Sequence, residues 1–369
     1  MSGSVGDLPP GVTAADWISP EELQLAARNH GMPLEALRYP VTPVGLHYLL
    51  IHYDIPAVDT AGWRLVVDGS VRRPLTLTLE ELQARPAVTR PVTMECAGNG
   101  RARLSPRAIS QPWLLEAVGT AAWTGTPLWP LLEEAGVAAD AAEVVFVGLD
   151  RGVEGGVEQR YARSLPVAET RREEVLLAYG VNGQPLPPQH GFPLRLLVPG
   201  WYGMTSVKWL ERITVVTEPF DGYQQVRAYR YRQVPDEAGV PVSRIVPRSL
   251  MLPPGIPDFS SRQRFLELGP RRLEGRAWSG WGPIVEVAVS VDGGGSWEAA
   301  ELADPPAPHA WQAWSYAWHP DAPGTYELCS RATDASGRQQ PTRPQWNLGG
   351  YADNDVQRVT VTVTPPAGG

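Results

Sequence analysis

Residues 190–210 read HGFPLRLLVPGWYGMTSVKWL, and this stretch carries most of the fold prediction. Prolines at 185, 187 and 188 stiffen the approach to His190, and LRLLVPG (194–200) has the composition of a buried strand. Arg195 follows in the same stretch. A rigid loop that carries a cation before a buried strand suits a phosphate or another anion better than a peptide. The structural alternative for His190 is a histidine that only caps a loop.

A second unusual segment is VTMECAGNGRARL (92–104). Cys96 precedes Ala-Gly-Asn-Gly, which allows tight backbone turns, and Arg101 and Arg103 supply positive charge that favours a thiolate. This pattern is typical of a metal ligand or a nucleophile. Two alternatives stay open: a buried free cysteine before a turn, and a thiol hydrolase in which His52 or His190 deprotonates Cys96.

Around these segments the pattern predicts short strands and short helices. Ser19-Pro20 predicts a helix start before 21–28, and Thr78 predicts a capped helix over 78–84. WRLVVDGSV (63–71) alternates apolar and polar residues and then reaches Asp68-Gly69, a hairpin signal. VVFVGLD (144–150) has the β-branched composition of a second buried strand.

Composition excludes several classes of function. The 369 residues carry a net charge of −8, which is the wrong sign for non-specific binding to nucleic acid. No apolar run approaches the ~18 residues of a membrane helix, so no membrane segment is expected. The only cysteines, Cys96 and Cys329, are too few for a disulfide framework or a four-thiolate zinc site. MSGSVGDLPPG (1–11) lacks a secretory signal, which predicts the cytoplasm, or the periplasm if a signal was removed.

The C-terminal third looks like a separate domain. VPRSLMLPPGIPDFSS (246–261) is rich in proline and is predicted to be a linker or wrapping segment. Strands are predicted within 285–302, 324–337 and 356–363, at the spacing of an immunoglobulin-like sandwich. We therefore predict an α+β domain over 1–245 and a β-sandwich over 246–369.

Two features of this sandwich are interpreted as structural. Cys329, inside a predicted strand, is expected to be an inert packed thiol. The tryptophans are expected to pack in the core and at interfaces rather than stack on carbohydrate: Trp278, Trp281, Trp297, Trp311, Trp314 and Trp318.

Three blocks in this order resemble the sulfite oxidase family of molybdopterin enzymes: the Cys96 loop, residues 190–210 and the Gly-rich sandwich after residue 260. The resemblance covers residues 40–363. It implies a molybdenum–molybdopterin cofactor with Cys96 as the thiolate ligand of the metal, and a C-terminal domain that forms a homodimer. Without a C-x-x-C-H motif, no haem is expected in this chain, so electrons would pass to an external acceptor, a cytochrome or oxygen.

The resemblance also implies roles for individual residues. Arg195, Lys208 and His190 would hold the cofactor phosphate, and Asp150 would accept hydrogen bonds from the pterin. The catalytic residues would be Cys96, Arg101 and Tyr229, with Tyr231 as the other candidate for the tyrosine. The full set of implied cofactor-binding positions is Tyr48, Leu49, Leu50, Ile51, His52, Asp150, His190, Arg195, Ser206, Val207 and Lys208.

At two positions the sequence departs from the family pattern. Leu50 replaces the arginine of Arg-Asn-His, and Gly349 replaces the arginine of Trp-Asn-Leu-Arg-Gly. Two cations that would bind a substrate anion are therefore missing, and sulfite binding should be weaker. Arg103, Arg230 and Arg232 are candidates to replace them, although strand arginines are commonly only solvated.

The predicted function is oxygen-atom transfer at the sulfur of a small substrate, with sulfite oxidation to sulfate as the leading reaction. Three alternatives remain. The chain is a sulfoxide reductase or an oxidase of another sulfur compound, since a pocket with fewer cations suits a less charged substrate. Otherwise it is a cofactor-binding module without turnover, or the thiol hydrolase described above.

Overall fold

The computed structural model describes residues 18–366. The N-terminal segment 1–11, on which the prediction of localisation rests, lies outside this range. Within 18–366, no helix combines the length and the apolar character that crossing a membrane requires.

Helices are short, and two of them confirm the capping predictions. Ser19 and Thr78 each accept a hydrogen bond from the backbone three residues on, and Glu22 and Glu81 return a bond to the cap, which completes two capping boxes. The helices described are α1 (Pro20–Arg28), α2 (Leu79–Gln83), α3 (Leu128–Ala135), α4 (Val167–Thr170) and α5 (Tyr223–Val226).

Strands dominate both halves of the chain. Those of the N-terminal half are β1 (Leu65–Gly69), β2 (Leu75–Leu77), β3 (Val88–Glu95), β4 (Val118–Pro127), β5 (Glu143–Glu154), β6 (Val157–Pro166), β7 (Leu176–Val181), β8 (Gln184–Pro185), β9 (Arg195–Leu197), β10 (Leu210–Val216), β11 (Arg230–Tyr231) and β12 (Val240–Pro241). Those of the C-terminal half are β13 (Arg248–Met251), β14 (Ile256–Pro257), β15 (Arg264–Glu267), β16 (Arg271–Trp278), β17 (Ile284–Ser290), β18 (Glu298–Ala299), β19 (Glu301–Leu302), β20 (Gln312–Trp318), β21 (Gly324–Asp334) and β22 (Arg358–Thr364).

Two sheets form the N-terminal half. One has the strand order β2-β1-β10-β5-β6, and the other has the order β3-β4-β7-β8 with β9 beside β7. Alternate residues of β7 and β9 serve two cores: Leu177 and Leu196 face the first sheet, whereas Leu176 and Leu197 pack in the cluster that contains Cys96. Strands β7 and β9 are thus buried on both faces, as the composition of 194–200 predicted for β9.

The hairpin predicted near Asp68 forms between β1 and β2, but its turn lies further along, over 70–74. Gly69 remains in β1, which pairs parallel with β10. A Cβ atom at Gly69 would lie 2.2 Å from the carbonyl oxygen of Val215, and its φ is +83°. The glycine thus allows close approach of a neighbouring strand rather than a two-residue turn.

The C-terminal half consists of two sheets, β13-β16-β20-β19 and β14-β15-β22-β21-β17-β18. Trp314 and Trp318 are buried in the sandwich core, and Trp278 and Trp311 are buried where the two halves of the chain meet. Trp281, by contrast, is 40 % exposed and stacks with Arg338.

The prediction that 246–261 is a linker or wrapping segment, too rich in proline for a regular element, is wrong. β13 pairs with β16 over its whole length and is fully buried, and β14 pairs with β15 at the edge of the other sheet. The prolines do not prevent this, because Pro253 and Pro254 lie between the strands and Pro257 lies on an edge strand. The domain division at 245/246 stays a prediction.

The α+β class is supported only in part. Within residues 18–366 the longest helix, α1, has nine residues, so the fold is strand-rich with short connecting helices. A strand-rich first half followed by a two-sheet sandwich is what the structure shows.

Candidate active site

One cavity gathers most of the residues that the resemblance singled out. Tyr48, Leu49, Leu50, His52, Cys96, Asp150, His190, Arg195, Ser206, Lys208 and Tyr229 all line it. Ile51, Val207 and Arg101 are buried beside it but do not line it. The roles of these residues stay predictions, but their convergence is a finding.

Cys96 follows β3 directly. Its backbone N–H donates to Ala117 at 2.9 Å, which continues the pairing of β3 with β4, and its carbonyl accepts from Asn99 at 3.0 Å. Gly100, with φ +97°, completes the turn. Burial raises the pKa of the Cys96 thiol, and Arg101 opposes this shift. Among the described residues, no histidine is hydrogen-bonded to Cys96, so the geometry of a thiol hydrolase is not seen.

The two arginines of this loop differ. Arg101 is buried, and its Cζ lies 5.2 Å from the centre of the Tyr351 ring. Arg103 forms an ion pair with Asp355 at 2.6 Å. The expectation that both arginines favour a Cys96 thiolate is therefore wrong for Arg103, because a carboxylate engages it elsewhere.

Arg195 and Lys208 both line the same cavity, and together they form its cationic pole. Arg195 donates to the carbonyls of His190 and Ser206, both at 3.1 Å, and Lys208 donates to those of Leu50 at 2.8 Å and Gln189 at 3.0 Å. Burial lowers the pKa of Arg195 to about 10 and that of Lys208 to about 7. Since burial disfavours both charges, an anion bound between them would be stabilised strongly.

Asp150 faces this pole. It lies inside β5 rather than at a strand end, at a register break between Val147 and Arg151. Its side chain is buried and Oδ1 has no partner among the described residues. Burial raises its pKa to about 6, and Lys208 opposes the shift.

His47 also lines the cavity, and our sequence reasoning missed it. Nδ1 lies 2.9 Å from the carbonyl oxygen of Tyr48, which can only accept, so Nδ1 carries the proton and Nε2 is an acceptor. Nε2 is buried without a partner among the described residues. Burial lowers the pKa of His47 to about 4, so it is neutral at pH 7. Its only sequence signal was adjacency to Tyr48.

Two tyrosines form another wall. Tyr229 is hydrogen-bonded to Tyr161, whose hydroxyl also donates to the carbonyl of Met204 at 2.7 Å. Burial holds the pKa of Tyr229 well above its usual value, so its hydroxyl stays protonated. Tyr231, the other candidate, is half-buried on β11 and does not line the cavity.

His52 lies in a polar network at the same cavity. Its Nε2 is 3.0 Å from Glu154, which also accepts from Tyr53 at 2.9 Å and from Gln224 at 2.7 Å. These bonds lower the pKa of Glu154 against the effect of burial. Glu154 and Gln224 carried no motif in the sequence, and they meet because β5 pairs with β6 and α5 packs against β6.

The arginines proposed to replace the missing cations are occupied. Arg230 donates to the carbonyls of Ala238 and Gly239, and Arg232 donates to that of Val226. Together with the ion pair of Arg103, these contacts hold all three guanidinium groups against protein acceptors.

The cavity fits the molybdopterin that the resemblance implies. Asp150 Oδ1, His47 Nε2 and Arg195 Nε are buried polar atoms without a partner in the described part of the chain. Burying such atoms costs free energy unless a polar ligand forms hydrogen bonds with them. A pterin with a phosphate offers both donors and acceptors. No group of three or more His, Cys, Asp or Glu side chains within 18–366 is placed to hold a metal ion. Cys96 remains the candidate protein ligand.

Comparisons with known proteins agree with this assignment. Residues 52–224 match the oxidoreductase molybdopterin binding domain, and residues 262–364 match the Mo-co oxidoreductase dimerisation domain. The second match begins after β13 and β14, which the structure places in the same sandwich.

Individual relatives act on different substrates. Mitochondrial sulfite oxidase of Mus musculus is 35 % identical over 343 residues, 88 % of this chain and 62 % of that protein. Nitrate reductase [NAD(P)H] of Hordeum vulgare is 33 % identical over 353 residues, 88 % of this chain and 40 % of that protein. The chain thus spans less than two thirds of these relatives. The sulfane dehydrogenase SoxCD of Paracoccus pantotrophus superposes with a TM-score of 0.78 at 25 % identity, over 99 % of this chain and 96 % of that one.

Proposed function

This chain belongs to the sulfite oxidase family of molybdopterin oxidoreductases, and on that premise we propose that it oxidises sulfite to sulfate and passes the electrons to an external acceptor, a cytochrome or oxygen. The observation that carries the proposal is the buried Arg101 next to Cys96. The Cζ atom of Arg101 lies against the Cys96 loop, since a Cβ atom at Gly98 would be 2.6 Å from it. The charge of Arg101 opposes the rise that burial causes in the pKa of the Cys96 thiol, so Arg101 is placed to act on an anion bound beside Cys96.

The residues of the cavity divide into two groups. Lys208, Arg195 and His190 would bind the cofactor phosphate, and the unpartnered atoms of Asp150 and His47 would complete hydrogen bonds with the pterin ring. Cys96 would bind the metal. When bound, the cofactor supplies oxygen-atom transfer and the associated two-electron redox chemistry.

The substrate end is formed by other side chains. Arg101 would attract and orient the sulfite anion, and the protonated hydroxyl of Tyr229 would exchange its hydrogen bond to Tyr161 for one to a substrate oxygen. Leu50 adds an apolar side chain to the lining of the cavity, which leaves less positive charge than the family pattern supplies.

A second candidate is the oxidation of a sulfane sulfur. It is favoured by the superposition on a sulfane dehydrogenase over nearly the whole of both chains, and by Leu50 and Gly349 in place of cations. Nitrate reduction, sulfoxide reduction and cofactor binding without turnover complete the alternatives.

The test is a substrate panel on protein purified with a measured molybdenum content. Sulfite and a sulfane-sulfur compound are offered with cytochrome c, ferricyanide or oxygen as acceptor, and nitrate and methionine sulfoxide with a reduced dye as donor. We expect sulfite to give the highest kcat/KM. A higher kcat/KM for the sulfane compound selects the second candidate. A full molybdenum content without turnover of any substrate would support the alternative that the chain is a cofactor-binding module without activity.

We also propose that the chain is a homodimer through the domain matched at 262–364. Light scattering on the purified protein should give twice the chain mass of 40.2 kDa. A mass of one chain at micromolar concentration would contradict it.

A further inference from the structure

Arg163 is a buried cation that has no part in the proposed function. It lies on β6 two residues after Tyr161, so both side chains project from the same face of the strand. Tyr161 lines the cavity. The guanidinium Cζ of Arg163 lies 5.6 Å from the ring centre of Tyr229, which is the neighbouring wall.

The charge of Arg163 is poorly compensated by protein groups. Its side chain is 2 % exposed, Nη1 donates to the carbonyl of Gln224, and Nε is buried without a partner among the described residues. No carboxylate of residues 18–366 forms an ion pair with it: Tyr161 and Tyr229 beside it stay protonated and uncharged, and the carboxylate of Glu143 acts on it through its charge alone. A buried cation without an ion-pair partner is costly unless another anion offsets its desolvation.

We infer that Arg163 is a specificity-determining residue that selects anionic substrates, through the positive charge it places behind the Tyr161–Tyr229 wall. This inference rests on the proposed function and adds its substrate class, a small oxyanion such as sulfite rather than a neutral sulfoxide. It also explains how the site attracts an anion although Leu50 and Gly349 replace two cations and Arg103, Arg230 and Arg232 are engaged elsewhere.

A purely structural role predicts something different. If Arg163 only holds Tyr229 and α5 in place, its removal disturbs anionic and neutral substrates alike. If its charge selects the anion, removal affects the anion more, and it also weakens the binding of sulfate, which has the charge of sulfite and is not turned over.

The experiment compares holoenzyme of Arg163→Gln and Arg163→Lys with wild type. The control is Arg160→Gln, on the same strand, whose side chain is 47 % exposed and pairs with Glu211. Molybdenum per chain, the Kd of sulfate by calorimetry, and KM for sulfite and methionine sulfoxide are measured. For Arg163→Gln we expect a ten- to hundredfold weaker sulfate Kd and sulfite KM at unchanged molybdenum, and a smaller change for the sulfoxide. For Arg163→Lys, the sulfate Kd and the sulfite KM should lie between those of Arg163→Gln and wild type. For Arg160→Gln, both values should match wild type.

Unchanged sulfate affinity in Arg163→Gln overturns the inference, as does an equal loss for sulfite and methionine sulfoxide. If Arg163→Gln does not fold, Arg163→Met decides, since it also removes the charge and sulfate affinity equal to wild type in that variant overturns the inference. If wild type turns over no sulfite, the proposed function fails, but the sulfate measurement still tests Arg163 separately.

Discussion

The guanidinium Nε of Arg248 lies 2.8 Å from Oε1 of Glu95, and each side chain is only 1 % exposed. Glu95 ends β3 and directly precedes Cys96, whereas Arg248 begins β13 of the sandwich. Glu95 also accepts from Trp278 at 2.7 Å and from Asn99 at 3.0 Å. The sandwich therefore holds the backbone that positions the candidate metal ligand.

Removing one member of this pair should be strongly destabilising. Arg248→Met leaves the Glu95 carboxylate buried and unpaired, at a cost of about 3–5 kcal/mol, whereas Glu95→Gln/Arg248→Met should lose less because no charge is left alone. Urea denaturation and molybdenum per chain measure the effect. The control is Arg272→Met, since the pair of Arg272 with Glu274 is exposed and should contribute under about 1 kcal/mol. Equal midpoints for Arg248→Met and Arg272→Met would contradict the prediction.

The assignment of Cys96 as the metal ligand can be tested with Cys329 as the control. Cys96→Ser should abolish turnover and leave the fold intact, because the thiolate ligand is lost while the cationic pole remains. Cys329→Ser should keep activity, because Cys329 is buried in β21 away from the cavity, and should cost only a modest loss of packing. The Sγ atom of Cys329 lies 3.9 Å from Arg358, and burial raises the pKa of its thiol to about 11. Activity and molybdenum content decide. An active Cys96→Ser enzyme would remove Cys96 from the metal site.

Several parts of this arrangement were predictable from the sequence because their signals are local. The Cys96 loop, the buried strand around Arg195 and the two capped helices depend on short runs of residues, and the structure shows the loop, the strand and the caps there. The strands of the sandwich were predicted from alternation for the same reason.

What sequence reasoning missed depends on pairing between distant segments. Arg163 faces the tyrosine wall only because β6 pairs with β5 and packs against α5, and Arg103 leaves the Cys96 loop for Asp355, which is far along the chain. The proline-rich run 246–261 looked irregular because composition does not reveal that its prolines lie between strands or on an edge.

Lys208 is the only lysine in the sequence, so its titration can be followed directly. Burial lowers its pKa to about 7 in the protein without cofactor, and a bound phosphate should raise it again. In cofactor-free protein with ¹³C-labelled lysine, the single side-chain signal should titrate near pH 7, and in the holoenzyme it should titrate higher. Titration near the ordinary value of 10.5 without cofactor would contradict the burial argument.

The lowered pKa of Lys208 also predicts how the retention of the cofactor depends on pH. Above pH 7 the free protein loses the Lys208 proton while the bound form keeps it, so cofactor binding should weaken as pH rises, by at most tenfold per unit. Molybdenum retained after dialysis at pH 6.5 and 8.5 should therefore fall in wild type. Lys208→Met should retain less at both pH values, and Lys208→Arg should show no pH dependence. A wild type that retains equal molybdenum at both pH values would exclude Lys208 from the phosphate site.

Leu50 and Gly349, the two positions that lack the family arginines, differ in the space available for a longer side chain. Leu50 lines the cavity and is only half-buried, so a longer side chain can extend there. A Cβ atom at Gly349 would lie 2.3 Å from the ring of Tyr351, so this loop accepts no side chain without moving Tyr351. Leu50 is therefore the position at which a cation can be restored.

Leu50→Arg should lower the KM for sulfite, because one recovered charge-assisted contact is worth about 1.5–3 kcal/mol, or roughly ten- to a hundredfold, less the cost of burying the guanidinium. In wild type, which lacks this contact, the KM for sulfite should rise with added salt or sulfate. Steady-state kinetics across ionic strength test both statements, with Leu50→Gln as a control that adds polarity and length without charge. If Leu50→Gln improves sulfite affinity as much as Leu50→Arg, charge is not what the position lacks. Tight, salt-insensitive sulfite kinetics in wild type would show that other residues, with Arg163 the first to examine, already complete the anion site.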